Sequence, residues 1–149
     1  MPSVTLALDL GTRTGYAVST DPIVYGTEAL IPPSRFSGGG YRFLLFQRWL
    51  GHAYLQYGFE EVVFEAVHRH AGTAAAHIYG GLLGILTAFC EEMGVPYHSY
   101  GVGSIKKHVT GRGNAGKDEV ITAVQKLGFA PADDNAADAI ALLMLHLSR

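Results

Sequence analysis

The sequence has a single cysteine, Cys90, so no disulfide can form within the chain, and the expectation is a reducing compartment, the cytoplasm. Charge is scarce: Asp, Glu, Lys and Arg make up 16% of the residues against 48% hydrophobic, a balance that excludes wholesale disorder. No uninterrupted apolar run approaches the ~18 residues that span a bilayer. The start, Met1-Pro2-Ser3, lacks the basic and apolar regions of a signal peptide, so no membrane attachment is expected. Positive charge is not in excess either. A formal net charge of -2 argues against a uniformly basic coat, though not against a local basic patch. Repeats and domain-separating linkers are missing, and 149 residues suit one domain, 1–149. No histidine–cysteine spacing points to zinc, and no Ser-His-Asp arrangement can be read from spacing. Cys90 lies among apolar and small residues and reads as core packing.

What is present begins with a strand pattern. In Val4-Thr5-Leu6-Ala7-Leu8-Asp9-Leu10, the residues Val4, Leu6, Leu8 and Leu10 share one face and Thr5, Ala7 and Asp9 the other. Gly11–Thr14 is turn-like, and Gly15–Ser19 and Ile23–Ala29 complete a three-stranded antiparallel meander. Tyr41–Tyr57 has helical period and Gly58 to stop it. Glu60–Glu65 is a strand. Ala71–Met93 is a long helix ended by Gly94 and Pro96. Tyr97–Tyr100 is a short strand, Ser104–His108 a short helix, and Lys117–Leu127 and Asn135–Leu147 the last two helices. The order predicts an α/β fold, with a mixed sheet of meander plus parallel strands flanked by helices.

Acids enter this pattern at three places. Asp9 ends an otherwise apolar strand, Glu65 ends the run Val62-Val63-Phe64, and Asp133-Asp134-Asn135-Ala136-Ala137-Asp138 opens the last apolar segment. A buried carboxylate needs a compensating partner, often a cation or metal. Hard divalent cations take oxygen ligands, and two of them can hold an attacking water and a departing oxygen on opposite sides of a phosphodiester. Asp9, Glu65, Asp134 and Asp138 are therefore candidate metal ligands. Asp134 lies one helical turn before Asp138, and Asn135 can also reach such a site. Each acid has a plainer reading: Asp133 or Asp134 as a helix cap, Glu65 as a strand-end surface residue, Asp9 as a partner of Arg13.

Basic residues concentrate elsewhere. Ser104–Lys117 carries Lys106, Lys107, Arg112 and Lys117 and no acid, with Gly111, Gly113 and Gly116 between them. Charge and close backbone approach could hold a polyanion there; a solvated loop is the alternative. His68 and His70 flank Arg69 just after Glu65 and are candidates for a phosphate backbone or base, or are ordinary loop residues. His108, within the basic stretch, is a further candidate DNA contact. His52, His77, His98 and His146 read as structural or surface residues.

Four segments in order give the chain a family resemblance: Leu6–Ala17, Val63-Phe64-Glu65-Ala66-Val67, Ile105–Lys117 and Asn135–Leu142. Together they resemble the RuvC-type Holliday junction resolvases, which have a ribonuclease H-like fold. The third segment is similar to that family's lysine, valine, glycine-x-glycine, alanine and lysine signature, with Lys106 and Lys117 on the lysine positions. The resemblance implies a homodimeric, Mg²⁺-dependent endonuclease with two ions per active site, Mn²⁺ substituting. Its substrate would be branched DNA, a four-way junction cut symmetrically to leave 5′-phosphate ends. It further implies Asp9, Glu65 and Asp138 as metal ligands, and Lys106 and Lys117 beside the scissile phosphate. Two positions depart from the family pattern. Asn135 stands where an acid or histidine is usual, with Asp134 beside it, and His68 stands where an aromatic is common. The small residues Ala74, Ala75, Ala76, Gly80, Gly81 and Gly84 make the long helix a candidate dimer interface, with packing on the sheet as the alternative. Other functions to weigh are the same chemistry on flaps, other branched DNA or RNA, a decayed DNA-binding module, and a nucleotide-binding switch suggested by Asp9-Leu10-Gly11-Thr12. The last needs two related domains, for which the chain is too short.

Overall fold

The computed structural model describes residues 3–35 and 37–149. The reading of Met1-Pro2 therefore lies outside the described residues. Strands β1 (Thr5–Asp9), β2 (Arg13–Val18) and β3 (Val24–Ala29) are followed by α1 (Tyr41–Tyr57), β4 (Glu61–Ala66), α2 (Thr73–Met93) and β5 (Tyr97–Gly101). Three helices close the chain: α3 (Val102–Thr110), α4 (Lys117–Lys126) and α5 (Asp134–Leu147). The strands form one sheet in the order β3-β2-β1-β4-β5. β1–β2 and β2–β3 are antiparallel, and β1–β4 and β4–β5 are parallel. This is the mixed α/β sheet that the alternation and helix order predict.

Strand alternation divides the interior into two layers. Leu6, Leu8 and Leu10 of the first strand segment, with Val62 and Phe64 of β4, pack against Phe46 and Leu50 of α1 and Leu82, Leu86 and Cys90 of α2. Ala7, Ala17 and Val63 face the other way, onto Ile105 of α3, Val120 and Val124 of α4, and Ala137, Ile140 and Leu142 of α5. Each fully buried leucine or isoleucine contributes about 1.5–3 kcal/mol of transfer free energy. Cys90 is fully buried, and burial pushes its thiol up to about 11, in keeping with a packing role.

The alanine-rich second layer lets α5 lie close to the sheet. It packs on β1, β2, β3 and β4. At Gly15 the approach is closest: a Cβ there would overlap the main-chain carbonyl of Asn135. Asp133 fixes the start of the helix, accepting from the Ala136 N–H at 2.9 Å and from the Thr27 hydroxyl at 2.6 Å.

The largest boundary differences from the sequence reading fall in three elements. β2 starts at Arg13 because the Thr14 hydroxyl donates back to the Gly11 carbonyl at 2.8 Å and tightens the turn. α2 starts at Thr73, past Gly72. α3 runs Val102–Thr110 rather than Ser104–His108. Gly103 does not break it, since that glycine sits beside the Gly113 backbone, and the helix ends only at Gly111, whose φ of 88° is left-handed.

α2 has a second aspect. It is long and apolar enough by length and composition to cross a membrane, although only 17% of its apolar window is buried inside the chain. Leu82, Leu86 and Cys90 face the core, which makes one stripe a core element. Ala74, Ala75, Gly80, Gly84 and Ala88 stay exposed.

Candidate functional site

Topology sets the acids side by side. Parallel pairing of β1 with β4 matches Ala7 to Val63 and Leu8 to Phe64, and the next positions along the two strands are Asp9 and Glu65. Both side chains belong to the Ala7–Val63 face, which α5 covers. Asp138 lies one turn into α5. Carboxylate oxygens of Asp9, Glu65 and Asp138 all lie within 4.8 Å of one another. Three distant stretches of chain thus converge.

The cluster is short of positive charge. Asp9 lies well above the usual carboxylate range, through burial first and then the negative charges of Asp138, Glu65, Asp134 and Asp133. Burial followed by Glu65 and Asp134 pushes Asp138 up to about 7, against the opposing pull of Lys106 and Lys117. Burial also raises Glu65, with Lys106 opposing. Among the described residues Asp9 makes no ion pair, so the Arg13 partnership does not form. Arg13 instead acts on Asp133. Burial alone would raise Asp133, but the hydrogen bonds from Thr27 and Ala136 and the Arg13 charge hold it below its ordinary value.

The remaining candidates fall into three groups. Asp134 is in the first turn of α5, where Asp133 already caps, and its Oδ2 lies 3.3 Å from Lys117 Nζ. It is close enough to raise Asp9 and Asp138 but is not one of the three converging carboxylates. Asn135 touches the sheet through its carbonyl at Gly15. Lys106, on α3, and Lys117, at the start of α4, bring charge to the acids. Lys107 is exposed, and Arg112 pairs with Glu119 at 3.0 Å, which turns it toward its own loop. That loop is ordered by Thr110, whose hydroxyl donates to the Lys106 carbonyl at 2.7 Å and accepts from the Arg112 N–H at 3.1 Å. The segment is thus a hydrogen-bonded, solvent-exposed turn between α3 and α4. His68 and Arg69 are exposed and line a cleft with Glu65, Ala66, Val67 and Val102.

Tyr79 went unmarked by sequence. Its hydroxyl donates to the Glu65 carbonyl at 2.9 Å and accepts from the Val67 N–H at 3.3 Å, pinning the segment after Glu65 to α2. No spacing signal pairs a mid-helix tyrosine with a strand end. Thr14 and Thr27, which shape the β1–β2 turn and the Asp133 cap, are similarly silent in sequence.

Oxygen-only donors with excess negative charge fit a hard divalent cation. Asp9, Glu65 and Asp138 could hold one, with Asp134 in reach of the same charge.

Known proteins share this arrangement of chain. The family model described as crossover junction endodeoxyribonuclease RuvC matches residues 40–146. A RuvC from Anaeromyxobacter dehalogenans is 37% identical over 90 residues, 60% of this chain and 49% of that protein. The chain thus spans about half the length of this relative. A RuvC from Alkalilimnicola ehrlichii is 31% identical over 156 residues, covering 99% of this chain and 92% of the relative. Among solved structures, T. thermophilus RuvC in complex with Holliday junction substrate superposes with a TM-score of 0.82 at 24% identity, covering 98% of this chain and 93% of that one, which makes the fold ribonuclease H-like. With a family model covering most of its length and a relative aligned nearly end to end, the chain belongs to the RuvC family of crossover junction endodeoxyribonucleases.

Proposed function

We propose that residues 1–149 form a single nuclease domain that resolves four-way DNA junctions by metal-dependent hydrolysis of two opposed phosphodiesters, leaving 5′-phosphate ends. The observation that carries this reading is the convergence of Asp9, Glu65 and Asp138 within 4.8 Å on the RuvC scaffold, with Lys106 and Lys117 close enough to act on their charge. The relatives named as crossover junction endodeoxyribonucleases support the reaction class, and the junction bound by the T. thermophilus protein supports the substrate.

Asp9, Glu65 and Asp138 would hold magnesium, or manganese in its place, two ions per site, with Asp134 or Asn135 completing the oxygen set. When bound, such ions supply Lewis-acid stabilisation of the phosphate and lower the pKa of a water. The chain's own residues do the remaining work. Burial of Asp9 and Asp138 excludes water and strengthens their hold on cations. Lys106 and Lys117 stabilise negative charge developing on the phosphate, and Asp134 keeps the Lys117 ammonium at the site. Lys107, His68 and Arg69 would meet the DNA backbone on either side of the cluster, and Arg112 would join them on release from Glu119.

Two cuts by equivalent sites call for two-fold symmetry, and we assign the pairing to α2. Its uncovered stripe of small residues, Ala74, Gly80, Gly84 and Ala88, favours close approach by a second copy. A cytoplasmic, DNA-acting homodimer accounts for that stripe without a bilayer.

The test is a synthetic four-way junction incubated with the protein and Mg²⁺ or Mn²⁺, beside a flap and a linear duplex. Paired symmetric nicks in the junction alone, lost in Asp138→Asn with junction binding kept, are expected. Equal cutting of duplex and junction overturns the substrate. Cutting by Asp138→Asn at the original rate overturns the site.

A further inference from the structure

Two turns of α5 beyond Asp138, a second set of ligating groups meets on the same face of the sheet. Glu61 opens β4, His98 lies on the neighbouring β5, and His146 stands in the last turn of α5. One carboxylate oxygen and one nitrogen from each imidazole lie within 4.8 Å of one another. His98 Nε2 is 3.9 Å from Glu61 Oε1, and His146 Nε2 contacts the same oxygen. That oxygen is sealed from solvent. The other His146 nitrogen, Nδ1, is 2.7 Å from the Tyr100 hydroxyl, and the Arg149 guanidinium lies 5.0 Å from the Tyr100 ring centre.

A simple ion pair between Glu61 and His146 would tie the end of α5 to the sheet. It leaves His98 unexplained, whose Nε2 faces the same buried oxygen from too far for a hydrogen bond, yet within reach of a shared ion. The donor set is that of a borderline metal rather than a hard one: two imidazoles and one carboxylate, with one imidazole oriented through its far nitrogen by a hydroxyl. We propose that Glu61, His98 and His146 form a binding site for a divalent transition metal, zinc by ligand type, separate from the acidic cluster. Three protein ligands leave a fourth position open on the side of His98, the most exposed of the three. The bound ion joins β4, β5 and the C-terminal turn of α5, and so braces the helix that carries Asp138.

The test uses the full chain stripped with a chelator and then titrated with Co²⁺ as a spectroscopic probe and Zn²⁺ by calorimetry. The expected result is a visible Co²⁺ band of low-symmetry, nitrogen-containing coordination that Zn²⁺ displaces at one equivalent. The band is retained in Asp138→Asn and lost in His98→Ala. His98 is exposed, so that variant keeps the fold, and His146→Gln serves as an independent second ligand variant. Zn²⁺ affinity should fall about tenfold or more in each histidine variant. Zn²⁺ should raise the melting temperature of the native chain and of Asp138→Asn by more than that of His98→Ala. Zn²⁺ uptake that disappears in Asp138→Asn but persists in His98→Ala would assign the metal to the acidic cluster and overturn the proposal. No Zn²⁺ uptake by the native chain would overturn it in favour of the bare ion pair.

Discussion

At one end of the contact between β4 and α5, Glu65 and Asp138 close on Asp9. At the other, about 13 Å away by strand rise, Glu61 closes on His146 and His98. The same two elements frame both places. One gathers only acids and raises their proton affinity; the other sets imidazoles against a single carboxylate. The difference teaches that a charge conflict, rather than the presence of an acid, marks the end of the helix where we place the chemistry. Asp133 makes the same point five residues before Asp138. Hydrogen bonds from Thr27 and Ala136 satisfy it, its proton affinity is lowered, and it caps.

The contrast can be broken most forcefully by neutralising the acids. Asp9→Asn and Asp138→Asn should each lower junction cleavage by about 10²–10³-fold or more in a gel assay with Mg²⁺. Glu61→Gln should leave the rate within a few-fold. Gly15→Val attacks the geometry instead. The side chain has nowhere to go but into the Asn135 carbonyl, so a loss of about 3 kcal/mol or outright misfolding is expected by urea denaturation.

Stability without metal should reverse the ranking. The folded pKa of Asp138, about 7, exceeds its reference value of 3.8. Between those values the folded state binds more protons than the unfolded one, so stability falls as pH rises through that window and stays low above it. Asp9 and Glu65 are raised as well and act with the same sign. In chelator, Asp138→Asn should therefore be more stable than the native chain at pH 8, by about 1–3 kcal/mol, with the gap closing at pH 4. Glu61→Gln should be less stable by about 1 kcal/mol under the same denaturation. A native chain in chelator that gains stability from pH 5 to pH 8 would contradict the charge conflict. Smallest of all, Lys117→Ala should alter metal-free stability by less than about 1 kcal/mol, because its pair with Asp134 is exposed.

Some of this was legible before any coordinates. The alternation Leu6, Ala7, Leu8, Asp9 encodes two buried faces with an acid at the end of one, and Gly58 and Gly94 mark helix stops through their left-handed φ. Convergence of Asp9 and Glu65 follows once both are placed at strand ends on the same face. Other features depend on tertiary placement alone. Whether Asp133 or Asp134 caps α5 turns on Thr27, far away on β3. Arg112 looks free in sequence but finds Glu119 in the first turn of α4. The group of Glu61, His98 and His146 has no spacing to announce it, since its members come from two strands and a helix end. His98 and His146 accordingly read as unremarkable until the sheet order made them neighbours. The long helix could be read either as core or as interface because it carries one buried and one exposed stripe.

The seat of α5 on Gly15 has a bearing on how this chain can diverge. With hydrogen as the whole side chain at that point, the helix is registered on the strand to within less than a methyl group. Sliding or tilting of α5 over β2 is then unavailable, so a substitution within this helix has to be answered by its own neighbouring positions and not by a shift of the whole element.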